Sequence, residues 1–283
     1  MKILVTGSYG QLGSELNILL RQYPDIQSIF TDVDTLDICD KEVVNRFFEE
    51  NQPDFVINCA AYTAVDKAES DIELCYKINR YAVENLAESA KKINAKIIHI
   101  STDYVFDGTS SVPYKEDSII CPKSIYGKSK AEGEAVLTAI NPANSVIIRT
   151  AWLYSVFGNN FVKTMLRLGL EKEQISVVFD QTGTPTNAAD LARAILSITN
   201  SNNCVAGIYH FSNEGVCSWY DFAKAIFELK NLPCKVLPIE SSQYPVPAHR
   251  PHYSVLNKGK IKATFGITIP HWHESLQRAL TNL

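Results

Sequence analysis

Short apolar runs alternate with amphipathic stretches along the first half of the chain. Strands are predicted at Lys2 to Thr6, Ile26 to Thr31, Phe55 to Asn58, Lys96 to Ile100 and Ser145 to Arg149. Helices are predicted between them, at Gln11 to Tyr23, Lys41 to Asn51, Ile72 to Ile93 and Ser124 to Ala139. The strands are nearly continuous in apolar character rather than alternating, as when helices cover both faces of a sheet. Repeated βα units of this kind predict an α/β fold with a doubly wound, Rossmann-like parallel sheet and right-handed crossovers. After Arg149 the rhythm loosens. Phe157 to Leu170, Asn187 to Thr199 and Trp219 to Leu229 read as helices, and Ile175 to Phe179 and Gly207 to Phe211 as strands. Five prolines between Pro233 and Pro251 predict an ordered loop there. The division expected is a dinucleotide-binding domain over 1–150 and a smaller, mainly substrate-binding α/β lobe over 151–283, with some segments returning to the first domain.

Composition narrows this picture by exclusion. The 283 residues carry 27 basic and 31 acidic side chains, a formal net charge of −4. So mild an acidity argues against a general nucleic-acid binder, which needs a basic surface to replace counterions. No apolar run approaches the roughly 18 residues of a membrane span. Ile3-Leu4-Val5 is too short for a signal-peptide core, and seven scattered cysteines without a C-x-x-C pair read as reduced thiols. The compartment expected is the cytoplasm.

Two local patterns carry chemistry. Gly7-Ser8-Tyr9-Gly10-Gln11-Leu12-Gly13 directly follows the first predicted strand and opens the first helix. That context suits a dinucleotide: glycines let the main chain approach a pyrophosphate, and free N–H groups at the helix N-terminus receive it. Asp32 ends the second strand 19 residues past Gly13. A carboxylate there can bind a ribose 2′-hydroxyl and would repel a 2′-phosphate, which favours NADH slightly over NADPH. Capping of an acidic loop is the alternative reading of Asp32. Leu36-Asp37-Ile38 is placed to flank an adenine or to cap, and the small side chains of Ala60 and Ala61 would let a cofactor lie against the sheet edge.

The second pattern is Tyr126-Gly127-Lys128-Ser129-Lys130, which sets Tyr126 and Lys130 one helical turn apart on one face. An ammonium near a phenol favours the phenolate, so Lys130 is expected to lower the pKa of Tyr126. Thr102 ends the fourth strand, where a hydroxyl points into the ligand crevice and can hold a carbonyl that Tyr126 protonates.

With these residues the chain resembles the extended short-chain dehydrogenase/reductases, and within them the dTDP-4-dehydrorhamnose reductase branch. The stretches Asn58 to Glu69, Ser101 to Gly108, Arg149 to Tyr154, Gln181 to Thr186 and Arg250-Pro251 carry that likeness over nearly the whole chain. The resemblance implies reduction of the 4-keto group of a dTDP-deoxysugar to dTDP-L-rhamnose. Tyr126 would supply the proton, Lys130 would tune it and hold the nicotinamide ribose, and Thr102 would bind the keto oxygen. Gly7, Tyr9, Gly10, Gln11, Leu12, Gly13, Asp32, Asp37, Ile38, Ala60, Ala61 and Thr63 would join Tyr126 and Lys130 around the cofactor. Asp103 and Tyr104 would sit near the sugar, and Trp152 would form an apolar wall, with burial in the core as its alternative. Arg250 would meet the diphosphate or order the proline-rich loop. Tyr253 departs from the branch, whose members usually carry Asn there. Some members form homodimers bridged by Mg²⁺ on glutamates; Glu15 matches one such position but Ala189-Asp190 occupies another, so no metal is expected while a homodimer stays open. Competing readings are a related nucleotide-sugar epimerase or dehydratase, and a non-catalytic regulatory subunit on the same fold.

Overall fold

A computed structural model describes residues 1–201 and 204–283. In chain order its first half runs β1 Lys2–Thr6, α1 Gln11–Leu20, β2 Gln27–Thr31, α2 Lys41–Asn51, β3 Phe55–Asn58, α3 Val65–Ala68 and α4 Ile72–Tyr76. A π-helical turn, Lys77–Tyr81, leads into α5 Ala82–Lys92, followed by β4 Lys96–Thr102, α6 Ile125–Ile140 and β5 Ser145–Thr150. The second half holds β6 Leu153–Tyr154, α7 Phe161–Glu171, β7 Gln174–Val178, β8 Thr182–Gly183, β9 Thr186–Asn187 and α8 Ala188–Asn200. It ends with β10 Gly207–His210, β11 Cys217–Ser218, α9 Trp219–Leu229, β12 Lys235–Ile239, α10 Gly259–Phe265 and α11 Trp272–Leu280.

Six strands form one parallel sheet in the order β10-β5-β4-β3-β1-β2. Strand alternation sorts its core in two. Ile3 and Val5 of β1 face Leu12 and Leu16 of α1 and Leu191 and Ile195 of α8. Leu4, between them, faces the other way, toward Val44 and Phe48 of α2 and Val83 and Leu86 of α5. At about 25 cal/mol per Å² of apolar surface removed from water, these two layers dominate the folding energy. Chain order reverses between β1 and β3, and it is outside the carboxyl ends of strands at such a switch point that ligands bind. A separate cluster around Phe222, Ile226, Trp272 and Leu276 fills the second half beside α7, α9 and α11.

Two departures from the sequence reading have physical causes. The helix expected over 72–93 is broken by the π turn, whose buried Asn79 exchanges hydrogen bonds with the Tyr62 backbone and donates to the Ser129 hydroxyl at 3.0 Å. Insertions of this kind cluster at functional sites. The proline-rich segment expected as a loop contributes β12, paired in parallel with β7. Pro238 is tolerated because this sheet has only two strands, so an edge is available for a residue without an N–H.

Candidate functional site

Three strand ends build a cleft. Gly7 follows β1 with φ +65°, and a Cβ there would come within 2.6 Å of the Ala60 nitrogen. Only glycine lets the β1 turn lie this close to the end of β3. Among the described residues no side chain caps α1, so the first N–H groups of that helix are left for a ligand. The cleft measures about 480 Å³ and is lined by Gly7, Tyr9, Gly10, Asp32, Asp37, Ile38, Ala60 and Ala61 among the residues expected from sequence. The Asp32 carboxylate accepts from the Tyr9 N–H at 2.9 Å and the Val33 N–H at 2.9 Å, and that of Asp37 accepts from the Cys39 N–H. Both therefore also act as local caps.

Six expected cofactor residues lie outside this lining, Tyr126 and Lys130 among them beyond β4. Leu12 points into the core beneath α1, Gly13 is buried against Ser8, and Thr63 is exposed away from the lining. Gln11 turns to Asn160, from which it accepts at 3.0 Å. Leu36, expected beside Asp37, also lines the cleft, which gains in addition Val33, Cys39, Leu74, Lys77 and Ile78. The last three come from α4 and the π turn, and no local motif marked them.

Beyond β4 lies a second, denser set of polar groups. Thr102 ends the strand as cap of the turn Asp103–Val105, accepting from the Tyr104 N–H at 3.2 Å and donating to Asp103 at 3.0 Å. The Tyr126 phenol lies near the same Thr102 hydroxyl. Helix α6 can bring Tyr126 there because Gly127 lies against the Tyr104 carbonyl, where a Cβ would stand 2.3 Å away. Ser124 caps the helix by accepting from the Gly127 N–H, Glu69 accepts from the Ile125 N–H, and the Tyr104 and Tyr126 rings meet edge to face at 5.5 Å. Lys130, 1% exposed, donates from Nζ to the Ile100 carbonyl at 2.6 Å and meets His99 Nε2 at 3.2 Å.

This geometry corrects one expectation. Burial raises the Tyr126 phenol above its ordinary range, eased by Thr102 and reinforced by Asp103, and Lys130 is not among the groups that pull it down. The ammonium is turned to the Ile100 carbonyl instead, and burial lowers its own pKa to about 8. Tyr126 is thus a protonated phenol at neutral pH, ready to donate.

Asp103 is 2% exposed, one of its carboxylate oxygens has no hydrogen-bond partner among the described residues, and burial lifts its pKa to about 7. A carboxyl raised on folding adds stability below its unfolded value near 4, and that stability is lost as pH rises through 7. Asp103→Asn removes the titration. Its stability relative to the parent is therefore expected to rise by roughly 2–4 kcal/mol between pH 4 and pH 8, since a tenfold change in proton affinity is worth about 1.4 kcal/mol. Urea unfolding at the two pH values measures this, and a pH-independent difference contradicts it.

The remaining candidates flank this set. Arg250 pairs with Asp66 at 2.6 Å and interacts with the Tyr104 phenol, which binds the proline-rich loop to α3. Trp152 has φ +49° and stacks on Trp219 at 3.6 Å, half-buried, so it packs in the second-half cluster. Tyr253 bridges to Thr182 and donates its N–H to the Gly108 carbonyl. Glu15 accepts from the Ser155 hydroxyl. Sequence reasoning missed the pair behind the site, Arg149 and Glu134, both buried and joined at 2.6 Å.

The family model described as RmlD substrate binding domain matches residues 1–283. The chain belongs to this family. A dTDP-4-dehydrorhamnose reductase of Aggregatibacter actinomycetemcomitans is 43% identical, the match covering 100% of this chain and 98% of that one. The crystal structure of a dTDP-4-dehydrorhamnose reductase from Clostridium acetobutylicum superposes with a TM-score of 0.96 at 47% identity, over 99% of each chain. That of the Bacillus anthracis reductase in complex with NADP gives 0.95 at 40% identity, over 100% of this chain and 99% of that one. The family's fold is the α/β arrangement with a central parallel sheet described above. Among the described residues, no helix is long and apolar enough to cross a membrane.

Proposed function

We propose that this chain is an NAD(P)H-dependent oxidoreductase that reduces the 4-keto group of dTDP-4-dehydro-6-deoxy-L-mannose to dTDP-L-rhamnose. The observation that carries the reading is the meeting of the Tyr126 phenol and the Thr102 hydroxyl at the carboxyl end of β4. Lys130 stands one turn behind, and a glycine-turned cleft opens at the neighbouring strand ends. The family membership and the 43% identical reductase support it.

The cleft fits a dinucleotide: its backbone closes on Gly7, its helix N-terminus is free for a pyrophosphate, and Asp32 stands where a ribose would lie. Bound there, the nicotinamide supplies the hydride. The chain's own part is positioning and proton transfer. Thr102 holds the keto oxygen, and Tyr126 donates its proton to that oxygen as charge develops on it. Asp103, Tyr104 and Trp152 surround the sugar, and Arg250 exchanges its Asp66 partner for the diphosphate. In this reading residues 1–150 hold the cofactor and 151–283 mainly the sugar nucleotide.

The test is spectrophotometric oxidation of NADH and NADPH with the dTDP-4-keto sugar. Oxidation of neither overturns the proposal.

For the cofactor we favour NADH slightly, because the Asp32 carboxylate lines the cleft at the end of β2, where it would meet a ribose 2′-hydroxyl, while the exposed Lys77 offers a partner for a 2′-phosphate. Asp32→Ala should raise the NADPH-to-NADH ratio of kcat/KM by about tenfold, or about 1.4 kcal/mol. Lys77→Ala should weaken NADPH use alone. A ratio unmoved by Asp32→Ala removes that carboxylate from cofactor selection.

A further inference from the structure

The proline-rich segment around Arg250 is fastened at one point. Among the described residues, the two hydrogen bonds that tie residues 245–251 to the body of the protein both end on Asp66 of α3. The Ala248 N–H donates to Oδ1 at 3.3 Å, and Arg250 Nη2 donates to Oδ2 at 2.6 Å. Beyond Arg250 the chain is anchored by other means. Pro251 lies against Gly108, where a Cβ would stand 2.5 Å from it, and the His252 carbonyl accepts from the Thr182 N–H at 2.7 Å. Helix α3 itself is bound to the helix that carries Tyr126, because Glu69, just past its end, accepts from the Ile125 N–H at 2.8 Å. Asp66 thus joins the proline-rich segment to the framework of the site.

Two features mark this pairing as a resting arrangement. Arg250 Nε is shut from solvent and has no acceptor among the described residues. An unpaired buried N–H is costly, so one carboxylate at Nη2 does not complete the bonding of this guanidinium. The pair is also open to water, with side-chain exposures of 30% for Arg250 and 38% for Asp66, and pairs of that kind separate easily. A diphosphate offers more oxygens and more charge than one carboxylate, and the arginine fork can meet two oxygens at once.

We infer that Asp66 is a positioning residue, a resident anion that holds Arg250 and its segment in place until the diphosphate of the substrate displaces it. The inference rests on the reading of Arg250 as the diphosphate partner, and deepens it by naming the competitor that sets the strength of that contact. Substrate and transition state carry the same diphosphate, so the competition bears equally on both. Asp66 therefore acts on KM and not on kcat.

Calorimetric titration of the full chain with dTDP tests this. Asp66→Asn keeps the size of the side chain and removes its charge, and it should bind dTDP about fivefold more tightly, the scale of a half-exposed ion pair. In turnover the same variant should lower KM by a like factor at an unchanged kcat. Arg250→Gln should weaken dTDP binding, and adding Asp66→Asn to it should bring no gain, since the carboxylate then has no partner to withhold. Tightening that persists without Arg250 means that Asp66 only repels the ligand through space, and overturns the inference. Equal or weaker binding by Asp66→Asn overturns it too, while the diphosphate reading survives as long as Arg250→Gln binds poorly. If Arg250→Gln binds dTDP as tightly as the parent, that reading fails and the inference falls with it. The split between KM and kcat, read on Asp66→Asn alone, keeps the test open if Arg250→Gln fails to fold: a loss in kcat at unchanged KM overturns the inference.

Discussion

Tyr126→Phe is expected to lower kcat by about 10²- to 10⁴-fold, the range over which a positioned general acid acts. The phenol is the donor that geometry puts beside Thr102, and burial keeps it protonated throughout the neutral range. Phenylalanine preserves the ring, its edge-to-face contact with Tyr104 and its place in the cluster with Tyr62, Ala68 and Cys75, so folding should change little. The hydroxyl does not line the cleft, so the Kd for the dinucleotide should stay within a few-fold of the parent. The loss then falls on the proton-transfer step and not on binding. Stopped-flow turnover together with fluorescence titration of NADH separates the two. Turnover near that of the parent would remove Tyr126 from proton donation. A proportional loss of cofactor affinity would instead make it a binding residue.

The parts of the site legible in the sequence are those whose residues are close along the chain. Gly7 to Gly13 spans one strand–helix turn, and Tyr126 and Lys130 span one helical turn, so local periodicity was enough to relate them. The parallel sheet was legible for a similar reason, since strands such as Phe55–Asn58 bury both faces and read as unbroken apolar runs. Lys77 was hidden because it enters the cleft from a π turn, whose widened register no simple repeat encodes. His99 looked like one more residue in an apolar strand; its hydrogen bond with Asn58 arises only when β3 lies beside β4. Strand β12 was masked by its proline, which composition reads as a loop. Lys130 illustrates a different limit. Spacing put it on the face of Tyr126, but its pKa depends on burial, which spacing does not describe.

Arg149 shows the same limit on the side of stability, and Glu134→Ala should destabilise the fold by about 3–5 kcal/mol. Arg149 is fully buried on β5, and Glu134 is 2% exposed on α6, the helix that carries Tyr126 and Lys130. The guanidinium donates from Nε to Oε1 at 2.9 Å and from Nη2 to Oε2 at 2.6 Å, a two-pronged pair. It also lies over the Phe106 ring at 5.1 Å, and Ser101, beside Thr102, donates to the same carboxylate. Removing Glu134 leaves a buried cation without its anion and Ser101 without its acceptor, which costs far more than the pair itself contributes. The double variant Glu134→Leu/Arg149→Met, matched for volume and uncharged, should therefore recover most of the loss. Urea unfolding of Glu134→Leu, Arg149→Met and the double variant closes this cycle. Additive losses would mean that the charges do not act on one another. A loss below about 1 kcal/mol in Glu134→Ala would mean that water reaches Arg149 and that the site rests on a softer support than its burial implies.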